Sequence, residues 1–457
     1  MQLLQRQDDE QNGVVMEEFS LGIDVACRAP HVATLADRAG QVVWSNYRFT
    51  TTIKNLTRLW ERIPAGARVT VVMEPTRNAW VPLAVWLRAH GASIVLAPPQ
   101  QSADLRRYYE RHTKNDRLDS VILSRLPLLH PEGLIVCEEV GPADPLRRAV
   151  RRRTKLVERR VEMLNRLTAL IELLGPGYLD LLGSNLNSKT ALAVLERYAD
   201  PTRLRRTPVE RLVRFVRAAS RGHHKDAFVA QLRAAAGEAA ALYSGGELDF
   251  EELAADITGE VRLIRAINDE IALLDGRIAT LYDRADSAGI VASVPGVGEV
   301  LAPGILGRLG DPSRFASLAA IRAFTGLVPD TNESGISAGP VRLTKAGDPG
   351  LRTALFMAAD QARQTDPTLA AKYRRLVVGK GKHHNSAMCH LAATLATRIA
   401  ACVRTGTAYQ LRDVDGTAIS QAEGRAICKE RYRVKPEERP RAKKQSARTS
   451  RVQKEVA

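Results

Sequence analysis

Four acidic residues are arranged along the sequence in a way that suits the binding of a divalent cation. Asp24 is embedded in the apolar run "LGIDVAC", Glu74 ends the run "VVME", and Asp116 and Asp119 lie in "KNDRLDS". Residues three apart share one face of a helix, and an unpaired carboxylate in an apolar strand is costly to bury. Hard ions such as Mg²⁺ take oxygen ligands, and two ions about 4 Å apart can assist an in-line phosphoryl displacement. The four carboxylates therefore indicate a metal site suited to phosphoryl transfer.

Each of these carboxylates also has an ordinary structural explanation. Asp24 could cap a turn, Glu74 could pair with Arg77, and Asp116 and Asp119 could be N-terminal acids of a helix beside Arg117. For any single residue this explanation is the better one. The metal interpretation is preferred because the four residues occur together and in order on one α/β pattern.

The charge balance of the whole chain points to a polyanionic partner. The 457 residues include 67 Lys and Arg against 51 Asp and Glu, a formal net charge of +16. Such an excess favours nucleic acid or an anionic membrane, but we expect no membrane partner because no apolar run approaches the roughly 20 residues of a bilayer span. Five scattered cysteines favour a reducing compartment over a disulfide framework. These features predict a cytoplasmic protein that binds nucleic acid.

An alternation of strands and helices predicts an α/β domain over residues 17–140, after a disordered segment over residues 1–16. Three β-rich runs, "FSLGIDVAC", "HVATLAD" and "QVVWSNYRF", predict a meander. A helix near residues 53–63, the strand "RVTVVME", a helix near residues 80–90 and the strand "ASIVLAP" follow. A meander followed by alternating helices and strands is the order of a ribonuclease-H-like domain with one mixed sheet.

Long helical patterns predict a connector over residues 145–285. Apolar residues from Leu253 to Leu281 recur at spacings of three and four, interrupted by Glu260, which is typical of coiled-coil packing within the chain or between protomers. The first helix of the connector carries arginines on several faces, which could be a solvated surface but which we interpret as phosphate contacts. These arginines are Arg147, Arg148, Arg151, Arg152, Arg153, Arg159 and Arg160.

A glycine-containing turn opens the predicted C-terminal domain, residues 286–410. The stretch "VPGVGEV" lies between apolar runs and resembles a helix–hairpin–helix turn, in which the backbone N–H groups of Gly296 and Gly298 could approach a phosphate. A tight turn in a helical hairpin explains the same residues equally well. Residues 411–457 are basic and poor in apolar pattern, which predicts a disordered tail.

The segments "GIDV", "MEP", "KNDRLDS", "VPGVGEVLAPGILGRLGD", "AFTGLVPDTNESG" and "RLTKAGDPGLRTALFMAA" resemble the DEDD insertion-sequence transposases of the IS110 type. Piv-like DNA invertases are similar to that family, and the resemblance covers roughly residues 19–135 and 285–405. It implies a RuvC-like N-terminal domain and a helical C-terminal transposase domain. It also implies that Asp24, Glu74, Asp116 and Asp119 form a metal tetrad that binds Mg²⁺, with Mn²⁺ as a substitute.

The resemblance further implies a nucleophilic serine in the C-terminal domain. Ser334, which precedes Gly335, is the matching residue. A serine on an open loop is a weak nucleophile until a base or a metal activates it, and Arg342 and Lys345 could stabilise charge on the attacked phosphate. Family members often have a longer Ser/Thr-Gly-Gly run here, so Ser337 stays as a rival.

The implied activity is that of a DNA transposase or recombinase. Such an enzyme would cut and rejoin donor and target DNA through a covalent phosphoserine intermediate. The resemblance implies guidance by a structured non-coding bridge RNA, assembly into a dimer or tetramer, and a location with the nucleoid of a prokaryotic cytoplasm. The alternative is a RuvC-like structure-specific nuclease that uses metal-activated water, and a catalytically inactive scaffold is disfavoured because all four carboxylates are present.

Overall fold

The chain divides into two compact units in the computed structural model, Met1–Arg148 with Ala288–Ala457, and Ala149–Ser287. The structure describes residues 17–99, 101, 104, 116–129, 131, 134–137, 141, 144–315, 317–330, 333–334, 337–338, 342–344 and 347–439. The predicted disordered segment over residues 1–16 lies outside this part of the chain. The first unit is therefore built from two separate stretches of sequence, and the second from one continuous stretch.

A six-stranded mixed sheet forms the centre of the N-terminal part, with the order β3-β2-β1-β4-β5-β6. The strands are β1 (Glu18–Asp24), β2 (His31–Asp37), β3 (Val42–Phe49), β4 (Arg68–Met73), β5 (Ser93–Leu96) and β6 (Ile135–Val136). The first three pair antiparallel, β4 lies parallel to β1, β5 lies parallel to β4, and β6 closes the sheet antiparallel to β5. The predicted meander and the two parallel strands that follow it are confirmed.

Helices cover both faces of this sheet. The helices of the N-terminal part are α1 (Ile53–Trp60), α2 (Trp80–Ala89) and α3 (Asp116–Leu129). Leu59 of α1 and Leu83 of α2 are buried in one core with Leu21 and Ile23 of β1. On the opposite face Leu123 of α3 joins a second cluster with strand residues of β4 and β5. The alternation of side chains along a strand explains why one strand serves both layers.

Two long antiparallel helices dominate the second unit, which begins inside α4 (Pro145–Glu172) and ends after α10 (Phe250–Ala285). Arg153 pairs with Asp275 and Arg166 with Glu260, so positions later in α4 meet positions earlier in α10. The helices between them are α5 (Pro176–Leu182), α6 (Lys189–Tyr198), α7 (Pro201–Arg206), α8 (Val209–Ala219) and α9 (Asp226–Leu242).

The apolar seam of α10 is buried inside this unit. Leu253, Ile257 and Ile264 join a core with residues of α4, and Ile271 and Ile278 are also buried. The sequence left open whether the seam packs within the chain or between protomers. In the structure the seam packs within the chain, where it forms part of the hydrophobic core between the unit's own helices.

Helices also make up most of the C-terminal part of the first unit. They are α11 (Leu301–Leu309), α12 (Leu318–Thr325), α13 (Pro349–Ala362), α14 (Pro367–Arg374), α15 (His384–Thr405) and α16 (Gln421–Arg431), and a π-helical turn (Arg375–Gly379) follows α14. The helices α12, α13 and α14 pack against α15. Within the described residues α15 alone is long and apolar enough to cross a membrane by length and composition, and half of that stretch is buried in the protein.

Two strand pairs nest inside each other between α12 and α13. The outer pair is β7 (Pro329–Asp330) with β10 (Arg342–Leu343), and the inner pair is β8 (Glu333–Ser334) with β9 (Ser337–Ala338). Both pairs are antiparallel. The nesting defines a hairpin whose base is formed by β7 and β10.

The expectation of a disordered tail from residue 411 onward is wrong for residues 411–439. A capping box between Ser420 and Glu423 starts α16, and burial raises the pKa of the Cys428 thiol to about 12. Arg374 also pairs with Glu438 at 3.0 Å. A few caps and long-range contacts order this segment despite its weak apolar pattern, and residues 440–457 lie outside the described part.

The expected helix–hairpin–helix also differs from the structure. The residues between α10 and α11 form successive turns instead of a helix, for example a bond from the Ser293 N–H to the Gly289 carbonyl at 3.0 Å. Glycine and proline are frequent here and weaken a helix. A single helix, α11, follows the turn.

Candidate active site

Asp24 and Glu74 are neighbours on two adjacent strands at the carboxyl edge of the central sheet. In the parallel pairing of β1 with β4, Ile23 lies opposite Met73. Asp24 and Glu74 are the next residues on the two strands, and neighbouring strands are separated by about 4.8 Å. The strand order therefore brings together two carboxylates that are distant in sequence.

Helix α3 crosses the sheet in a direction that brings its N-terminus to the same edge. The Ser120 hydroxyl lies 2.8 Å from that of Thr34 on β2, next to the middle of β1. At the other end of the helix, Arg125 donates to the Gly40 carbonyl at 3.2 Å. Gly40 is in the turn after β2, and this turn lies at the end of the sheet where β1 begins. The first turn of α3 therefore lies at the opposite end, the carboxyl edge, beside Asp24.

A glycine allows this close approach of α3 to the sheet. A Cβ atom on Gly22 would lie 2.2 Å from the Ser120 carbonyl oxygen and 2.3 Å from the Ser124 nitrogen. These are backbone atoms, so neither can turn aside. The contact also identifies the face of β1 that α3 covers, and Asp24, two residues after Gly22, belongs to that face because side chains alternate along a strand.

Three of the four predicted ligands are thereby directed to one edge and one face. Glu74 follows Val72, which packs with α3, and Asp119 on α3 is 9% exposed. Asp116 begins α3, but its side chain lies outside the described residues. Within the described residues no three His, Cys, Asp or Glu side chains are close enough to hold a metal ion. The edge supplies oxygen donors of the right chemistry, although the described side chains do not form a closed ligand set.

A buried histidine holds the loop that follows Asp24. His31 is 4% exposed, and its Nδ1 accepts a hydrogen bond from the Ala26 N–H at 3.1 Å. Because Nδ1 accepts, the neutral ring carries its proton on Nε2, which donates to the Thr51 hydroxyl at 2.7 Å. Burial lowers the pKa of His31 below its ordinary value. Sequence reasoning missed this residue, because a lone histidine at a strand start carries no recognisable pattern.

Ser334, the predicted nucleophile, lies in the hairpin between α12 and α13. Its backbone pairs directly with that of Ser337 across β8 and β9, with residues 335–336 between them. The rival serine is therefore the cross-strand partner of the favoured one. In the outer strands the backbone of Arg342 lies opposite that of Asp330. The side chains of these serines and of Arg342, and all of Lys345, lie outside the described residues.

The base of this hairpin is tightly fixed. A Cβ atom on Gly347 would lie 2.2 Å from the Phe324 carbonyl oxygen, so the two ends of the hairpin meet at the end of α12. The Thr344 N–H also donates to the Val328 carbonyl at 3.1 Å. A short, pinned base of this kind restricts where β8 and β9 can lie.

A buried ion pair that the sequence analysis missed fixes the next helix. Arg308 of α11 donates to Asp348, the N-cap of α13, at 2.6 Å, and both side chains are less than one-tenth exposed. The Arg308 guanidinium lies where a Cβ atom on Gly350 would be. The local sequence "GDPG" predicts a helix start, but its partner lies forty residues away.

Three of the seven predicted phosphate-binding arginines contact α10. Arg152 pairs with Glu270 at 2.7 Å, Arg153 pairs with Asp275, and Arg160 donates to Asn268 at 2.9 Å. Of the other four, Arg148, Arg151 and Arg159 have exposed side chains and Arg147 is half-buried. The helix therefore combines arginines that hold it to α10 with arginines that face solvent.

The two glycines proposed to approach a phosphate have different surroundings. Gly296 has φ +79°, and its Cα lies against α13, where an added Cβ atom would be 2.3 Å from the Ala358 carbonyl oxygen. Gly298 has no such neighbour, and its carbonyl accepts from the N–H groups of Leu301 and Ala302 at the start of α11. Gly296 thus permits close packing of the turn on α13.

Comparison with known proteins finds relatives that match most of the chain. Residues 21–176 match a DEDD model described as "Transposase", and residues 288–374 match the model described as "Transposase IS116/IS110/IS902 family". The insertion element IS110 43.6 kDa protein of Streptomyces coelicolor is 25% identical over 88% of this chain and 97% of its own length. The insertion element IS116 44.8 kDa protein of Streptomyces clavuligerus is 26% identical over 81% of this chain and 91% of its own length.

A shorter stretch of the chain is similar to a gene-inverting protein. The pilin gene-inverting protein of Moraxella bovis is 35% identical over 21% of this chain and 31% of its own length. These matches define a DNA transposase or site-specific recombinase. Within that class, the chain belongs to the IS110-type insertion-element transposases.

Proposed function

We propose that this recombinase cuts DNA by attack of the Ser334 hydroxyl on a phosphodiester, assisted by divalent cations. The Ser334 oxygen forms a bond to phosphorus and loses its proton, while the bond from phosphorus to the leaving strand breaks and that oxygen takes up a proton. A hydroxyl of a second strand then attacks the phosphoserine and releases Ser334. The observation that best supports the metal-assisted part is the strand register that puts Asp24 beside Glu74 at the edge of the sheet to which α3 brings its N-terminus.

Four carboxylates are proposed to hold the cations. Asp24, Glu74 and Asp119 would be joined by Asp116 from the first turn of α3, and oxygen donors of this kind suit Mg²⁺ or Mn²⁺. When bound, a divalent ion would polarise the phosphate and favour the deprotonated serine. The chain itself contributes a rigid edge, because Gly22 seats α3 on β1 and His31 orders the loop after Asp24.

We further propose that a structured bridge RNA guides the enzyme and that solvent-facing arginines of α4 contact it. A-form RNA is read mostly through its shape and backbone, which suits arginines without aromatic neighbours. The enzyme would act as a dimer or tetramer with donor and target DNA, in the cytoplasm and in association with the nucleoid. Because the seam of α10 is buried within the chain, protomers must meet through other surfaces.

Trapping the covalent intermediate tests the proposal. A DNA substrate whose cut strand diffuses away should leave protein attached to DNA, seen on a denaturing gel. Ser334→Ala should lose the adduct and recombination while it still binds DNA. Ser337→Ala is the matched control, since it alters the directly opposite position, and it should keep both. Mass spectrometry of the trapped peptide should find the phosphate on Ser334.

The alternative is a RuvC-like nuclease in which metal-activated water attacks the phosphate. The same acidic edge would serve that reaction, so carboxylate variants do not separate the two mechanisms. The nuclease predicts that Ser334→Ala cuts DNA at nearly the wild-type rate and that no adduct forms. Phosphate found on Ser337 would instead move the nucleophile across the hairpin.

A further inference from the structure

A group of basic side chains from the helices α12, α14 and α15, the π-helical turn and the turn after it forms a surface of the C-terminal part that has no role in the proposed reaction. We call it the cationic face. It consists of Arg322 on α12, Lys372 on α14, Arg375 in the π-helical turn, Lys380 and Lys382 in the turn that follows, and His390 on α15. All except Lys372 and Lys382, which are partly buried, have exposed side chains.

Helix packing brings these side chains together. The helices α12 and α14 and the π-helical turn all pack on α15. The Lys372 ammonium donates to the Thr394 hydroxyl on α15, and that hydroxyl in turn donates to the His390 carbonyl at 2.9 Å. Lys372 therefore lies beside the turn of α15 that carries His390, and its long side chain is held in place.

The electrostatic surroundings of this face consist of like charges. Burial, together with the charges of Arg398, Arg375 and Arg322, lowers the pKa of Lys372. Burial, and then Lys382, Lys372 and Lys380, lowers the pKa of His390. Of these neighbours Arg398 is neutralised, since it pairs with the buried Asp366 at 2.8 Å. Cations that crowd one another in this way are stabilised when an anion binds among them.

We propose that the cationic face binds the phosphate backbone of DNA next to the phosphate that Ser334 attacks. The inference rests on the proposed function, and it adds the surface that holds the DNA strand. Arg322 lies on the helix that leads directly into the Ser334 hairpin, and Arg352 of α13 donates to the Thr325 carbonyl at the end of that helix. The cationic face and the hairpin are therefore both connected to α12.

The chemistry of the face suits backbone contacts rather than base recognition. Apart from His390 its members are lysines and arginines, which bind phosphates through charge and hydrogen bonds. Stacking on bases would require aromatic side chains. Backbone contacts of this kind are sufficient to fix the position of a DNA duplex on the protein, so that the Ser334 hairpin can contact one particular phosphate.

Charge reversal on the cationic face tests the proposal. The variant R375E/K380E/K382E should bind a labelled DNA duplex at least tenfold more weakly, and the slope of log affinity against log salt should fall by about 0.9 for each phosphate that the variant no longer neutralises. The control R425E/K429E/R433E changes three exposed basic residues of the same part of the chain by the same charge. It should alter the affinity less than threefold, and both variants should melt like the wild type.

A second, milder variant protects the test against misfolding. K380Q/K382Q lies on the turn and should bind the duplex at least threefold more weakly than the wild type. Unchanged DNA binding by both variants of the face, or an equal loss of affinity in the control, overturns the inference. Selective loss of binding to a labelled RNA duplex, with DNA binding intact, also overturns it.

The outcome for the face is separable from the outcome for the nucleophile. If the wild type forms the serine adduct and both variants of the face bind DNA normally, the cationic face fails and the proposed reaction stands. If the wild type forms no adduct but the variants lose DNA binding, the face stands and the reaction fails.

Discussion

At the scale of single residues, the site depends on side chains that hold its loops as well as on the carboxylates. His31 is the clearest case, because both of its ring nitrogens are engaged while the ring is buried. A protonated ring would place a second N–H against the Ala26 N–H, which cannot accept it. The neutral form is therefore part of the folded structure around Asp24.

The pH dependence of stability should report this histidine. Since the pKa of His31 is lower in the folded than in the unfolded chain, the unfolded chain binds the proton more readily. Its contribution to stability should be complete above pH 6.5 and should be lost as the pH falls below that value. We expect His31→Ala to cost about 1–3 kcal/mol at about pH 7.5 and to flatten the fall in melting temperature between about pH 7.5 and 5.5.

Two further variants serve as controls for that measurement. His31→Asn keeps an acceptor for the Ala26 N–H, so it should retain more stability than His31→Ala near neutral pH while it also flattens the pH dependence. His223→Asn alters an exposed histidine and should leave the wild-type pH dependence in place. A His31→Ala variant that loses stability in the wild-type manner on acidification would contradict the assignment.

At the scale of elements, the position of α3 on β1 decides whether the acidic edge forms. Gly22 sets that position, because an added methyl group would meet backbone atoms of α3. We expect Gly22→Ala to cost about 1–3 kcal/mol, the usual penalty for overpacking, and to displace Asp119. The rise in melting temperature on addition of Mg²⁺ should shrink, and DNA cleavage should fall with it.

A glycine elsewhere provides the comparison. Gly276 on α10 has no atom of the described residues within 4 Å of an added Cβ, so Gly276→Ala should stabilise the chain by about 0.5–1 kcal/mol and keep the response to Mg²⁺. Calorimetry with and without Mg²⁺ measures both variants. A Gly22→Ala variant with a wild-type response to Mg²⁺ would show that the acidic edge does not depend on this contact.

Elements whose pattern is local were predictable from the sequence, and long-range contacts were not. The strands β1 to β5 and the helices α1 and α2 follow from alternation and β-branched residues. The partner of the α10 seam, the Arg308–Asp348 pair and the order of α16 depend on residues distant in sequence. The grouping of Asp24 with Glu74 followed from their positions at the ends of two apolar strands, and the strand register now gives it a physical basis.

At the scale of the whole molecule, the net charge is +16, and the arginines that contribute to it have different structural roles. On α4, Arg152, Arg153 and Arg160 hold α10, whereas Arg148, Arg151 and Arg159 face solvent. We expect alanine at the three exposed positions to weaken binding of an RNA hairpin and to reduce its salt dependence.

The other three arginines provide the matched variant. R152A/R153A/R160A removes the same charge, but it should lower the melting temperature because it removes the side chains that hold α4 to α10. Fluorescence anisotropy against salt and thermal melts distinguish the two effects. Equal salt slopes for the solvent-facing variant and the wild type would remove these arginines from the RNA interface.

The division of the first unit into two separate stretches of sequence has a consequence for how the chain acquires its structure. Unit Ala149–Ser287 is continuous and rich in helices, so its contacts form locally and early. The first unit needs residues beyond Ala288, and contacts of such long separation form slowly. On the ribosome, domains fold as their residues emerge. The intervening helical unit should therefore be folded before the hairpin with Ser334 has been synthesised, and the unit that contains the acidic edge should be completed only afterwards.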